Sequence, residues 1–213
     1  MAKHLCLDLD NTLIYSCSNF DEISKLELEK EENRLLLKRC RLINIVDAMN
    51  KDPKGKGNVT TLLVIFRPHV FSFIKFAISY FSKISIWSAG QDRYVRAIEA
   101  LLFPRNVTLH NYNIPHKTYT YDDCVFLKDG TTYKELIKKD FDIKHTISLD
   151  DRWDTFSKNH DNGILIPEYK PQVTKEGILK DDKSLLQLME WLSLPEVIFC
   201  DDIRKIPKNN IFV

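Results

Sequence analysis

Short apolar runs, each closed by small or acidic residues, recur along the chain. Residues 4–9 ("HLCLDL") have almost no polar alternation before their acids, as expected of a strand covered on both faces. Residues 83–90 ("KISIWSAG"), 145–151 ("HTISLDD") and 163–167 ("GILIP") read the same way, and 124–127 ("CVFL") is a shorter strand. In residues 67–81, Val70, Phe73, Ile74, Ala77, Ile78 and Phe81 recur at intervals of three and four, which predicts an apolar helical stripe with Pro68 in its first turn. Further helices are predicted over 91–103, over 131–141 ("TTYKELIKKDF") and over 181–194, the last with Asp182 as N-cap. Residues 35–46 and 59–66 read as two strands joined by "DAMNKDPKGKGN", whose Gly, Pro and Asn content suits a hairpin tip. Residues 18–34 are polar and acid-rich, and read as a loop or exposed ribbon. Strands alternating with helices predict an α/β fold: a Rossmann-like parallel sheet with helices on both faces and a small inserted β-hairpin at about 35–66. The expected organisation is a single domain over residues 1–213.

Composition narrows the function classes. The 213 residues suffice for one full core, and 44% apolar with 29% charged residues is ordinary for a globular chain. A net charge of +1 provides no global field toward nucleic acid or a membrane surface, so phosphate attraction must come from a local site. The longest apolar-rich window, residues 70–87, is interrupted by Lys75 and Lys83, which argues against a membrane span. The five cysteines form no CxxC pair and no zinc-like spacing, and no secretory leader opens the chain. The expected setting is therefore a reducing one, nuclear or cytoplasmic.

The chemistry lies at the strand ends. Asp8 and Asp10 flank one leucine after the first strand, Ser88-Ala89-Gly90 follow the strand at 83–87, and Asp150-Asp151 follow "HTISL". If these strands are parallel neighbours, all three clusters reach one crevice beyond their carboxyl ends. Carboxylates this close repel, and burial makes the repulsion worse, so such a pair is held by a cation or by chemistry. Strand-end acids also serve turns, Asp150-Asp151 also suit the N-terminus of a helix "RWDTFSKN", Ser88 also suits a plain polar position, and Lys134, Lys138 and Lys139 are of the kind usually found solvated.

With these residues in view, the chain resembles a known family. "DLDNT" followed by "LIYS" is similar to the DxDxT signature of haloacid-dehalogenase-like phosphatases. It looks most like their small RNA polymerase II C-terminal-domain phosphatase (NLI-interacting factor) branch. "FRPHVFSFIKFAISYFSKISIWSAG", "CVFLKDGTTYKELI" with "TISLDD", and "DDIRKI" resemble that branch's later blocks in the right order. The resemblance implies an aspartyl-phosphate mechanism with Asp8 as nucleophile and Asp10 as general acid and then base. It assigns Thr12 to the loop geometry, Ser88 to a phosphoryl oxygen and Lys134 to charge neutralisation. It implies Mg²⁺ held by Asp8, Asp151, the Asp10 backbone carbonyl and Asp150. The implied partner is a phosphorylated protein or peptide, with the polymerase tail as candidate.

The chain departs from the family's pattern on both sides of "CVF": the spacing from there to Lys134 is one residue longer than usual, and the preceding segment differs too. Tyr121 stands where tail-directed members often carry an arginine, with Lys117 or Arg93 as possible substitutes. The hairpin resembles the family's inserted element, which implies an apolar pocket for a proline near the phosphoserine that strand residues such as Ile43, Ile45 and Val64 could line. Two other functions compete with a serine/threonine protein phosphatase: a phosphatase on nucleic-acid ends or small phosphomonoesters, and a catalytically silent peptide-binding module of the same fold.

Overall fold

The computed structural model describes residues 3–48, 55–103, 115–139 and 141–212. The first strand, β1 (His4–Leu7), is central. It pairs in parallel with β5 (Lys83–Trp87) on one side and β9 (Thr146–Asp150) on the other. With β6 (Lys117–Tyr119) and β10 (Gly163–Leu165) the order is β10-β9-β1-β5-β6, five strands, all parallel.

The register explains the uniform apolarity. Leu5 is level with Ile84 and Ile147, and Leu7 with Ile86 and Leu149. These face the main core with α2 (Val70–Tyr80), α3 (Asp92–Leu102) and α5 (Ser184–Leu192). The intervening positions, Cys6 and Trp87, pack on the other face with Tyr119, Leu136 and Phe141, under the 3₁₀ turn Leu136–Lys139. Helices thus flank the sheet.

The inserted element is a three-stranded antiparallel sheet, β2-β4-β3, made of β2 (Ile14–Cys17), β3 (Cys40–Val46) and β4 (Val59–Phe66). β2 joins it directly after the first acidic loop, an addition the hydrophobic pattern did not predict. β3 begins at Cys40, because Leu36–Lys38 form a 3₁₀ turn whose Leu36 is buried against α4 (Lys175–Leu179) in a second core. The middle of the predicted hairpin tip, residues 49–54, lies outside the described residues.

Local chemistry overrides the predicted pattern at several points. Residues 18–34 are not a plain loop: Asn19 caps a short helix, α1 (Phe20–Ser24), by accepting from the Asp21 amide. The predicted helix over 131–141 is instead a small hairpin, β7 (Val125–Phe126) with β8 (Thr132–Tyr133), followed by the 3₁₀ turn at Leu136. The cause is the intervening Asp129-Gly130, where Gly130 has φ +88° and the Thr131 amide donates to Asp129 Oδ1. "RWDTFSKN" gives one 3₁₀ turn, Trp153–Phe156, rather than a longer helix. α5 opens at Ser184, with Asp182 accepting from its amide at 2.9 Å while also bound to Arg67. Another short helix, α6 (Pro195–Ile198), follows α5 and buries Val197.

Arg67 shows how the insertion is tied to the sheet. It is buried, and its guanidinium donates to the Thr12 carbonyl at 2.9 Å, the Pro167 carbonyl at 2.8 Å, both Asp182 oxygens and Ser184 Oγ. A buried guanidinium is tolerable only when its donors are satisfied in this way.

Candidate active site

The acids sit where β1 runs out. The Asp8 amide still donates to the Leu149 carbonyl, so Asp8 is the last residue held by the sheet. The chain then turns: Asn11 takes φ +57°, and the amides of Leu13 and Ile14 both donate to the Leu9 carbonyl. This turn sends β2 away from the sheet and leaves Asp8 and Asp10 at the carboxyl edge.

Parallel pairing brings β9's end alongside. One carboxylate oxygen each from Asp8, Asp150 and Asp151 lie within 4.8 Å of one another. Lys134 enters from the extended segment after β8. Its Nζ lies 2.7 Å from Asp8 Oδ1 and 2.5 Å from Asp150 Oδ2, and all three groups are buried. Lys139 is engaged elsewhere, at 2.5 Å from Asp123. Thr12, fully buried, donates its hydroxyl to Asp151 Oδ1 and accepts from the Asp151 amide. Asp150 also accepts from the Arg152 amide at 2.9 Å, but Arg152 is itself the N-cap of the 3₁₀ turn and no side chain caps that turn, so the capping role open to Asp150-Asp151 is not taken up.

The electrostatics are those of an under-neutralised site. Burial, together with the Asp150 and Asp10 charges, pushes the Asp8 carboxyl above its ordinary range, against the pull of Lys134. Burial and the Asp150 charge do the same to Asp151. Burial alone would depress the Lys134 ammonium, but Asp150 and Asp8 more than offset it and hold it well above the usual lysine value.

Asp10 lies apart from this cluster. Its Oδ1 accepts from the Tyr94 hydroxyl, and Tyr94 Oη is 2.8 Å from Ser16 Oγ. Burial raises the Asp10 carboxyl, while bonds from Tyr94 and Ser88 pull the other way. Ser88 stands at the end of β5, buried, with its Oγ accepting from the Gly90 amide at 3.0 Å. Tyr94 is the residue the sequence reading missed. It lies one turn into the helix that follows a polar strand end, a place that faces the crevice, but there it reads as part of an amphipathic pattern.

These groups line a cleft of about 640 Å³ whose other wall is apolar: Ala48 and Leu62 of the insertion, with Tyr94 and Tyr121. The expected Ile43, Ile45 and Val64 do not line it. Ile45 is buried beneath with Ala48 and Leu62, Ile43 is partly buried against the same cluster, and Val64 belongs to the main core. Tyr121 stacks on Phe126 with ring centres 4.3 Å apart. Arg93 does not line the cleft: it pairs with Asp47 at 3.0 Å and ties the insertion to α3. Lys117 lies over the Tyr119 ring.

The donor set fits a divalent cation. Three mutually close carboxylates offer hard oxygen ligands, and one lysine cancels only part of their charge.

Sheet order and strand-end acids together define a haloacid-dehalogenase-like α/β protein. The model of the NLI interacting factor-like phosphatase family matches residues 3–204, and the chain belongs to that family. Two solved structures share the fold. One is an arginine-to-alanine variant of the fission yeast RNA polymerase II CTD phosphatase Fcp1 bound to beryllium fluoride: TM-score 0.62, 19% identity, covering 90% of this chain and 51% of that one. The other is Fcp1, described as an essential RNA polymerase II CTD phosphatase: TM-score 0.61, 17% identity, covering 97% of this chain and 59% of that one. This chain therefore spans little more than half the length of these neighbours. Comparison with curated proteins finds no match. Among the described residues no helix is long and apolar enough to cross a membrane.

Proposed function

We propose that residues 1–213 act as one phosphatase domain, a Mg²⁺-dependent hydrolase of phosphoserine and phosphothreonine in proteins. The observation that carries this is the division of the strand-end acids: Asp8 shares Lys134 with Asp150, while Asp10 is held apart by Tyr94.

Asp8 is the nucleophile. One of its oxygens forms a bond to phosphorus as the ester P–O bond breaks, and the departing oxygen takes its electron pair and a proton from Asp10. The products are an alcohol and an aspartyl phosphate. Asp10, now ionised, removes a proton from water, whose oxygen attacks phosphorus and releases inorganic phosphate and Asp8. Lys134 and Ser88 offset charge on the phosphoryl oxygens, and Thr12 holds Asp151. Asp8, Asp150, Asp151 and the Asp10 carbonyl would hold Mg²⁺. When bound, it would supply charge neutralisation between the carboxylate and the phosphate dianion.

The cleft favours a peptide carrying one phosphate. Its wall is largely apolar and aromatic, and among the described residues its two cationic lining residues are committed, Lys134 to Asp8 and Asp150, Arg152 to Asp154 at 2.6 Å. The RNA polymerase II C-terminal domain, on which the phosphatase Fcp1 of both neighbouring structures acts, is the first candidate.

Hydrolysis of p-nitrophenyl phosphate with Mg²⁺, lost on chelation and in Asp8→Asn, tests the chemistry. Phosphopeptides assayed against 3′-phosphorylated oligonucleotides test the substrate class, and turnover of the oligonucleotides alone would overturn it. A folded, Mg²⁺-binding protein with no turnover would favour the silent module.

A further inference from the structure

Asp10 is two residues from Asp8, yet it does not belong to the group of mutually close carboxylates, which among the described residues is Asp8, Asp150 and Asp151. A half-buried carboxylate beside three others needs a reason to stay out of their reach, particularly where a cation would draw it in.

The reason lies in α3. The Tyr94 hydroxyl donates to Asp10 Oδ1 and is itself seated on Ser16 Oγ of β2 at 2.8 Å. The ring has little freedom. A Cβ at Gly90 would come within 2.8 Å of Tyr94 Cδ1, so the loop approaches the ring closely and only glycine leaves it room. On its other flank it packs on the insertion cluster of Ile45, Ala48 and Leu62. Three separate elements (the β5–α3 loop, β2 and the hairpin) thus converge on one phenol, whose hydroxyl meets one carboxylate.

We propose that Tyr94 is a positioning residue for Asp10. Its hydroxyl, seated on Ser16, keeps the carboxylate turned out of the acidic cluster and toward the cleft, where the leaving oxygen of a phosphomonoester needs a proton. The inference rests on the phosphatase reading above. It gives the insertion a second task beyond lining the cleft: it steadies the residue that aims the proton donor.

Leaving groups of different basicity provide the test. An alkoxide cannot depart without a proton, whereas p-nitrophenolate can, so misaiming Asp10 harms the two reactions unequally. In Tyr94→Phe, which keeps the ring and its packing, kcat/KM for a phosphoserine peptide is expected to fall about 10- to 100-fold, and for p-nitrophenyl phosphate less than about 3-fold. Ser16→Ala is expected to show the same inequality at smaller amplitude. Equal losses on both substrates, or no loss, would overturn the proposal, since a merely packing role moves both alike. A crystal structure of Tyr94→Phe supplies a readout independent of turnover. The Asp10 carboxylate is expected to swing toward Asp8, Asp150 and Asp151, and an unmoved carboxylate would overturn the proposal. Wild-type protein that hydrolyses neither substrate counts against the phosphatase reading itself, a different result from wild-type turnover matched by Tyr94→Phe.

Discussion

Thr12 and Asp151 hold each other by a reciprocal pair of bonds: the Thr12 hydroxyl donates to Asp151 Oδ1 at 3.2 Å and accepts from the Asp151 amide at 3.1 Å. Residues from two strand ends, 139 positions apart in the chain, are locked by one buried hydroxyl. Thr12→Val keeps the shape and removes both bonds, leaving the half-buried Asp151 amide without its partner. The expected cost is about 1–3 kcal/mol, or several degrees in thermal midpoint, and calorimetry would read it. Because Asp151 loses its orientation, Mg²⁺ affinity measured by titration should fall with it. Thr12→Ser should retain most of both, and a Thr12→Ser protein as weak as Thr12→Val would show that the methyl, not the hydroxyl, matters.

Lys134 is the cation that keeps Asp8 and Asp150 together. Lys134→Met leaves buried like charges facing each other, at a cost of about 3 kcal/mol at neutral pH without metal. Added Mg²⁺ should therefore raise the melting temperature of the variant more than that of the wild type. Turnover with Mg²⁺ should still fall about 100-fold or more, since charge on the phosphoryl group loses a fixed partner. Equal metal-induced shifts in the two proteins would count against a neutralising role.

Arg67 joins the Thr12 carbonyl, the Pro167 carbonyl, Asp182 and Ser184 without lining the cleft. Arg67→Ala strands Asp182 and two carbonyls, and is expected to cost about 3–5 kcal/mol. Arg67→Lys should recover less than half of that, because an ammonium cannot reproduce the planar fork. Denaturant unfolding of the two variants measures the difference, and near-equal stability of Arg67→Lys and wild type would contradict the fork's importance.

The parts of this site that could be read from the chain are those that sit directly on buried strands. Asp8, Ser88 and Asp150 follow apolar runs of the kind a buried parallel sheet takes, and the parallel register that their common edge required is the one observed. Lys134 was expected on a helix, whereas it lies on the extended segment after β8, because the Asp-Gly turn decided the local structure over a weak helical period. Arg67 looked like the opening of a helix, since nothing in its neighbours reveals partners at Asp182 and Ser184, far along the chain. Tyr94 was hidden for the same reason: its meaning is a contact with Asp10, 84 positions away. β6, with only three residues, is too short to show a period.

His4 makes a final prediction about acid stability. It opens β1, shares a bond of 2.9 Å with Ser85 Oγ, and lies 4.7 Å from the Phe141 ring centre. Burial, aided by the positive charges of Lys83 and His116, depresses the imidazole to about 4. In the unfolded chain it titrates near 6.5. Between these values the unfolded state binds more protons than the folded one, so stability falls as pH drops through that window and is fully present above it. The contribution at neutral pH is at most ~3 kcal/mol, less for the part of the ring that meets water. His4→Gln retains a partner for Ser85 but cannot take up the proton. Its stability, followed by urea unfolding from pH 7 to pH 4, should decline less steeply than the wild type's. The carboxylates titrate alike in both proteins, so the difference in slope isolates His4, and parallel pH curves would show that its proton does not limit the fold.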